Sequence, residues 1–450
     1  MKDMNQPQGQ DGFKADIFVS SNRWNSAERD AAEREKIWPK TWQMVCREDR
    51  LPKPGSFVTH ELLDDPVLII RTGDGPDDLS AIYNVCQHRG RRLVDRGHGT
   101  LGHEITCRFH GWRYGWDGEV KYIFGEEDWE GCPSFDRNNL NVPQIRIGRW
   151  GGFVFVCLDP DVEPLEDWLA PVTQFLDPFA LQDCKPSFWK RIHGPINWKT
   201  YIEAFNEGYH SGETHRLGVN YRPVRMPGAA RGPHGTFWSE SDSLTEYKLR
   251  GAKSWQAAKS AGESLWANMA LQYDTLFALA LEPTMKAADQ VKDLPPDTPP
   301  EEMLGKFYGH VVEETEKTGA SFPKELTIEA FINAGVDWHI FPNLVILPSL
   351  DGALVYRVVA DAKDRDKCFI DIWSLGRFPD DYEGPAEPEF YTDFEDFIGA
   401  CPFLEEDFSN MEAVNEGMKS RGFKGATFNP SQEAQIRHFH RMLDEYCGKP

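Results

Sequence analysis

Hydrophobic and polar positions along the chain follow two patterns. Between Leu51 and about Pro160, apolar residues come in short runs separated by turn formers: Ser56–His60, Pro66–Ile70 and Ala81–Val85, with Gly73-Asp74-Gly75 between the last two. Short runs rich in Val, Ile, Phe and Tyr, bounded by Gly, Pro, Asn or Asp, read as strands. Glu104-Ile105-Thr106 is one more, Tyr114–Val120 reads as a hairpin turning at Asp117-Gly118, and Trp150–Leu158 reads as the last strong strand. The pattern predicts a small antiparallel β domain over 51–160. Ahead of it, 1–50 reads as an N-terminal arm and helix packing on the larger domain. Residues 1–20 are expected to be a disordered or docking arm. Ser26 is placed to cap a helix ending near Pro39, and Thr41–Cys46 reads as a strand.

After 161 the runs lengthen and mix, which predicts an α+β second domain over 161–450. A helical, aromatic-rich connection spans Leu165–Leu181, a strand follows at Phe188–Ile192, and a long helix is expected after Asn197. More strands are expected over Val336–Val359, and Glu387–Phe397 should open a C-terminal helical region. Between Leu281 and Gly305, Pro295, Pro296, Pro299 and Pro300 oppose regular structure, so this stretch, 285–305 included, reads as a mobile linker or a lid.

The chemistry-bearing residues are concentrated in two places. Cys86-Gln87-His88-Arg89-Gly90 and Cys107-Arg108-Phe109-His110-Gly111-Trp112 each offer one thiolate and one imidazole. Mixed arms at hairpin-like separation are the ligand set of a Rieske [2Fe–2S] centre, in which two thiolates hold one iron and two imidazoles the other. The competing reading is a Cys2His2 zinc site, but zinc fingers keep both cysteines in one arm and both histidines in the other. A glycine ends each arm and lets the backbone turn tightly. The second place is Asn197–His215. Glu207 and His210 are three apart and share a helix face. His210 and His215 are five apart, so the helix must end or bulge between them, with Gly212 well placed for it. Two imidazoles and one carboxylate make the facial triad of non-haem Fe(II) oxygenases. Asp407 is the candidate carboxylate, with Glu405 and Glu406 as rivals. Phe205, Phe397 and Phe403 are candidates for lining an apolar pocket, or are ordinary core.

Composition narrows the partners. The net charge is −23 with 40% hydrophobic and 27% charged residues. An acidic balance argues against nucleic acid and against anionic membranes. There is no apolar run of the roughly 18 residues that a membrane span needs, and Met1–Asp16 lacks the apolar core of a secretory signal. The expected location is cytoplasmic. Of nine cysteines, the seven outside the two arms show no paired spacing and read as reduced thiols. No Gly-x-Gly-x-x-Gly follows a strand, so electrons are expected from a separate ferredoxin or reductase.

With these motifs together, the chain resembles, over nearly its whole length, the large (α) subunit of Rieske non-haem iron aromatic-ring-hydroxylating oxygenases. The resemblance rests on the two Cys/His arms, Asn197-Trp198-Lys199, Tyr209-His210 with His215, and Asn410-Met411-Glu412, which match the stretch after the family's carboxylate ligand. It implies a Rieske domain carrying a [2Fe–2S] cluster, and a helix-grip catalytic domain whose antiparallel sheet wraps a long helix. It also implies Fe(2+) on His210, His215 and Asp407, and rings of three α subunits, sometimes capped by three β subunits. Glu207 becomes the link between His110 of one chain and His210 of the next. The implied reaction is hydroxylation or dihydroxylation of an aromatic substrate with O2. Two residues depart from the common pattern. The bridge is Glu207 where many members have Asp, a feature shared with some members that oxidise amines and quaternary ammonium compounds, and this raises C–N or C–O cleavage as the alternative. Ala204 stands where many members have Asn. A chain using only the cluster, as an electron carrier or sensor, is the non-enzymatic alternative.

Overall fold

The structure, a computed structural model, describes residues 17–220, 225–240, 246–249 and 252–449. The expected arm over 1–20 thus lies outside the described residues up to 16. The chain divides into two compact units: a smaller one over Arg34–Asp167, and a larger one formed by the residues up to Glu33 together with those from Trp168 onward. The helices are α1 Asn22–Asn25, α2 Ala27–Lys36, α3 Leu165–Leu176, α4 Trp198–Phe205, α5 Ser211–Thr214, α6 Ala261–Leu271, α7 Glu282–Val291, α8 Pro300–Lys317, α9 Ile328–Ala334, α10 Pro402–Met418 and α11 Ala434–Cys447. Among the described residues no helix is long and apolar enough to cross a membrane.

In the smaller unit, successive side chains of the strand Asp65–Arg71 point to opposite faces. Leu68 and Ile70 enter one core with Phe57, Ile82, Cys86, Cys107, Trp112 and Tyr114. Val67 and Ile69 enter a second core with Val45, Val58, Val154 and Val156. Burial on both faces is why this run is apolar throughout rather than alternating. The strand lies inside a four-stranded antiparallel sheet ordered Leu79–Tyr83, Asp65–Arg71, Ser56–Leu62, His98–Thr100. Gln43–Arg47 pairs with Phe153–Cys157, and that strand pairs with Arg146–Trp150. The unit therefore begins upstream of residue 51. Trp150–Leu158 is not one strand, because Gly151 and Gly152, at φ 59° and 76°, fold it back as a hairpin.

The larger unit is built on an eight-stranded sheet in the order Gly228–Arg231, His234–Phe237, Asp337–Ile340, Leu344–Ser349, Gly352–Ala360, Cys368–Gly376, Lys185–Gly194, Glu389–Tyr391. All pairs are antiparallel except the last. Helix α4 packs on Gly352–Ala360 and α10, and α11 packs on the strands from Gly228 to Phe237. Phe18–Ser20 adds a strand to Gly425–Thr427, and Trp24 completes an apolar cluster with Met418, Phe428 and Ile436.

Three sequence expectations are corrected here. The helix after Asn197 is short and stops at Phe205; the long helix against the sheet is α11, and α10 packs on α4. Glu389–Tyr391 is a parallel edge strand, and the C-terminal helices start only at Pro402. The proline-rich stretch is mostly helical rather than irregular. Helices α7 and α8 pack on each other with only 292–299 between them. Pro299 caps α8 and Pro300 fills its first position, where a missing N–H costs nothing.

Candidate metal centres

The two arms of the smaller unit are built alike. The Gly90 N–H donates to the Cys86 carbonyl at 3.0 Å and the Cys86 N–H to the Arg91 carbonyl at 2.8 Å. In the other arm Gly111 donates to Cys107 at 3.0 Å and Cys107 to Trp112 at 2.8 Å. Gly90 and Gly111 have φ of 75° and 73°, and an added Cβ would meet nothing within 4 Å at either. Each glycine is thus needed for its left-handed backbone, not for space. The turns bring two buried sulfurs and two imidazoles together: the His88 and His110 rings stand 4.5 Å apart, edge to face, and Trp112 stacks on His88 at 4.7 Å. Nδ1 of both histidines is buried with no hydrogen-bond partner among the described residues. Burial raises the Cys86 thiol pKa and lowers that of His88, with the His110 and Arg89 charges adding to the latter. Orphaned imidazole nitrogens beside buried thiols are the surroundings of residues made to bind metal. Tyr114, which sequence reasoning passed over, completes the site. Its hydroxyl accepts from the Gln87 N–H at 3.2 Å and lies 3.3 Å from Cys86 Sγ, to which it can donate.

In the larger unit, Asn197 caps α4 by accepting from the Lys199 N–H at 3.0 Å. Tyr201 and Phe205 mark one face of α4, stacked on each other at 4.4 Å and meeting Tyr356 and Phe408. Thr200, Glu203 and Ala204 mark the other, which lines a cavity. The helix breaks at Asn206, ahead of both histidines rather than at Gly212. Gly208 follows because a Cβ there would sit 1.9 Å from the Met226 sulfur. His210 and His215 then bracket the single turn α5. Glu207 lies outside any helix and folds back on that turn, accepting from the His210 N–H at 3.0 Å and from its Nδ1 at 2.6 Å.

With Nδ1 so engaged, His210 Nε2 points at His215 Nε2, 3.3 Å away. Asp407 Oδ1 lies 3.4 Å from the first and 3.3 Å from the second. Among the described residues, His210, His215 and Asp407 form the one group of three or more metal-binding side chains whose ligand atoms all lie within 4.8 Å of one another. The rivals are otherwise engaged. Glu405 accepts from the Gly399 N–H, while Glu406 accepts from the Arg216 N–H and lies 3.4 Å from His215 Nδ1. Burial acts to lower the His210 pKa, but Glu207 and Asp407 outweigh it and lift it to about 10. Two carboxylates converging on one imidazole hold a place for positive charge, which an ion can take over.

A cavity of about 290 Å3 opens beside this group, lined by Glu203, Ala204, Glu207, His210, Asp407 and Met411 among others. None of Phe205, Phe397 and Phe403 lines it. Phe205 belongs to the aromatic cluster on the other face of α4, Phe397 is buried against Phe408 at 5.1 Å, and Phe403 stacks on the His215 ring at 3.9 Å. Sequence reasoning also missed a buried charge chain behind α4. Glu33 takes Lys199 Nζ at 2.7 Å, Trp198 Nε1 at 3.2 Å and Arg29 Nε at 3.1 Å. Glu203 accepts from Trp24 Nε1 at 2.8 Å, and burial pushes its carboxyl up to about 8.

The comparisons with known proteins agree with this geometry. Residues 181–449 match the family described as the ring hydroxylating alpha subunit, catalytic domain. The chain belongs to that family. Residues 41–133 match the Rieske [2Fe–2S] domain, so the family's pairing of a cluster domain with a non-haem iron domain is present in one chain. The carnitine monooxygenase oxygenase subunit of Acinetobacter pittii is 30% identical over 185 residues, 41% of this chain and 48% of that protein. The large oxygenase component of the naphthalene 1,2-dioxygenase system of Pseudomonas putida is 31% identical over 192 residues, 41% of either chain. The matched stretches span about half the length of these curated relatives or less. A solved quaternary ammonium Rieske monooxygenase in complex with gamma-butyrobetaine shares the fold, with a TM-score of 0.62 and 18% identity over 98% of this chain and 99% of that one.

Proposed function

We propose that the chain is the terminal oxygenase component of a multicomponent system, inserting oxygen from O2 into a small organic substrate with electrons supplied by a separate ferredoxin or reductase. The observation that carries this is the presence, in one chain, of a His–His–carboxylate group tight enough for one ion and of two Cys/His arms with buried sulfurs and unpartnered imidazole nitrogens. When bound, the cluster supplies electrons singly and the ferrous ion activates dioxygen. The chain's residues do the rest. Cys86, His88, Cys107 and His110 hold the cluster, and His210, His215 and Asp407 hold the ion. Glu207 keeps a proton on His210 Nδ1 and so offers Nε2 as the free lone pair. Glu207 also lines the open cavity. The family resemblance and this open position support Glu207 as the link to His110 of a second copy in a ring of three, with or without β subunits.

For the substrate, we favour oxidation next to nitrogen, as in N-demethylation or cleavage of a quaternary ammonium compound. The carnitine relative and Glu207 at the bridging position support this. Hydroxylation of an aromatic ring is the second reading, supported by the naphthalene relative and by the rings of Tyr201, Phe205, Tyr356 and Phe408. Reduced protein incubated with a panel of quaternary amines and aromatic compounds under labelled dioxygen tests both. Formaldehyde release and label from an amine fit the first reading, labelled phenols or diols the second. No dioxygen uptake with any member overturns the oxygenase assignment.

A further inference from the structure

The aromatic face of α4 looks onto the sheet, and the register fixes which sheet residues share that layer. Directly opposed residues of neighbouring strands put their side chains on the same face. His339 opposes Val345, and Val345 opposes Tyr356. Tyr356 meets Phe205 at 4.7 Å and Tyr201 at 6.1 Å, so this row faces α4. Asp337 lies two residues from His339 and therefore faces the same way, about 7 Å along the strand. Trp338, between them, turns to the other face and packs on Phe175 at 5.2 Å.

Asp337 is fully buried, and neither carboxylate oxygen has a hydrogen-bond partner among the described residues. The same holds for the Tyr201 hydroxyl on the facing helix. The effect of Asp337 reaches the Tyr356 phenol, which also feels Asp407. An unpaired carboxyl inside an apolar layer is costly and is retained where something else completes it. The layer shows what would do so. Tyr201, Phe205, Tyr356 and Phe408 supply rings on the facing side, and rings together with a carboxyl that burial holds protonated until a cation meets it favour a weakly hydrated cation over an anion.

We infer that Asp337 is a specificity-determining residue that recognises a positively charged nitrogen of the substrate, held between the sheet and the aromatic face of α4. The inference rests on the oxygenase reading and narrows it to cationic substrates. It also separates the two faces of α4: substrate against Tyr201 and Phe205, the link to a second copy on the side of Glu207.

Choline, and the neutral isostere in which a tert-butyl group replaces its trimethylammonium, are the probes. Binding to the cluster- and iron-loaded protein is followed by calorimetry. The native protein should prefer choline by about tenfold or more, and Asp337→Asn should lose that preference while keeping its iron content and cluster spectrum. Equal binding of the two probes, binding of neither, or a preference that survives in Asp337→Asn overturns the inference. The native comparison decides by itself if the variant fails to fold. Dioxygen uptake with neutral aromatic substrates, together with indifference to the charge of the probe, would leave the oxygenase reading standing and remove only this one.

Discussion

Asp407 occupies a position on α10 where the pattern calls for an apolar side chain, since Leu404, Phe408 and Met411 around it are all buried. A carboxylate there is tolerated because two imidazoles meet it. Asp407→Asn should lower iron from three to two per chain, leave the cluster spectrum unchanged, and reduce activity about 100-fold or more, as metal analysis and turnover would record. Tyr114→Phe removes the hydroxyl beside Cys86 Sγ. Losing about 1 kcal/mol of hydrogen bonding to the reduced cluster should lower its potential by about 40 mV, readable by redox titration. Glu207→Gln should keep both metals yet slow electron arrival at the mononuclear site, and single-turnover oxidation of the cluster is the measurement. The arms of Cys86 and Cys107 were legible because thiols and imidazoles clustered at fixed spacing are rare. Tyr114, Glu33 and Glu203 were not. Their roles come from partners brought together by folding, as with Trp24 and Glu203, 179 residues apart.

Among the elements, strand positions were readable wherever a short apolar run was bounded by turn formers, as in Val67–Ile70. They failed where a local exception decided the shape: the glycine pair at 151–152, the stop at Asn206, and prolines that begin a helix instead of forbidding one. The interior of the larger unit carries a further liability. His234 and His339 on strands and His438 on α11 are buried, and desolvation lowers them to about 3, 4 and 4. A lowered histidine leaves the unfolded chain binding more protons, so stability present above pH 6.5 is lost as pH falls toward those values. For His339 alone the shift from 6.5 to about 4 corresponds to about 3 kcal/mol. Urea midpoints should therefore drop steeply between pH 6.5 and 4, and His339→Gln should flatten that slope.

For the molecule as a whole, the proposed path runs between copies, and complementation tests it. Cys107→Ser copies lack a cluster ligand and His210→Ala copies lack an ion ligand, so each alone should be inactive. Co-expressed, about a quarter of head-to-tail junctions would join an intact cluster to an intact ion site, and turnover should return accordingly. No recovery would mean that electrons stay within one chain. The division into a cluster part and a catalytic part was legible from residue pattern alone. The N-terminal segment expected on the larger domain ran to residue 50, whereas the larger unit takes only the residues up to Glu33 and the smaller one starts at Arg34. Residues up to Glu33 close the charge chain on Lys199 and fill the apolar cluster with Trp24. A shortened gene starting at Trp168 would strand the Lys199 ammonium in an apolar setting and open a tryptophan-sized hole. Neither half can be harvested by trimming an end, and any chimera exchanging the sulfur-bearing part must splice at both of its borders.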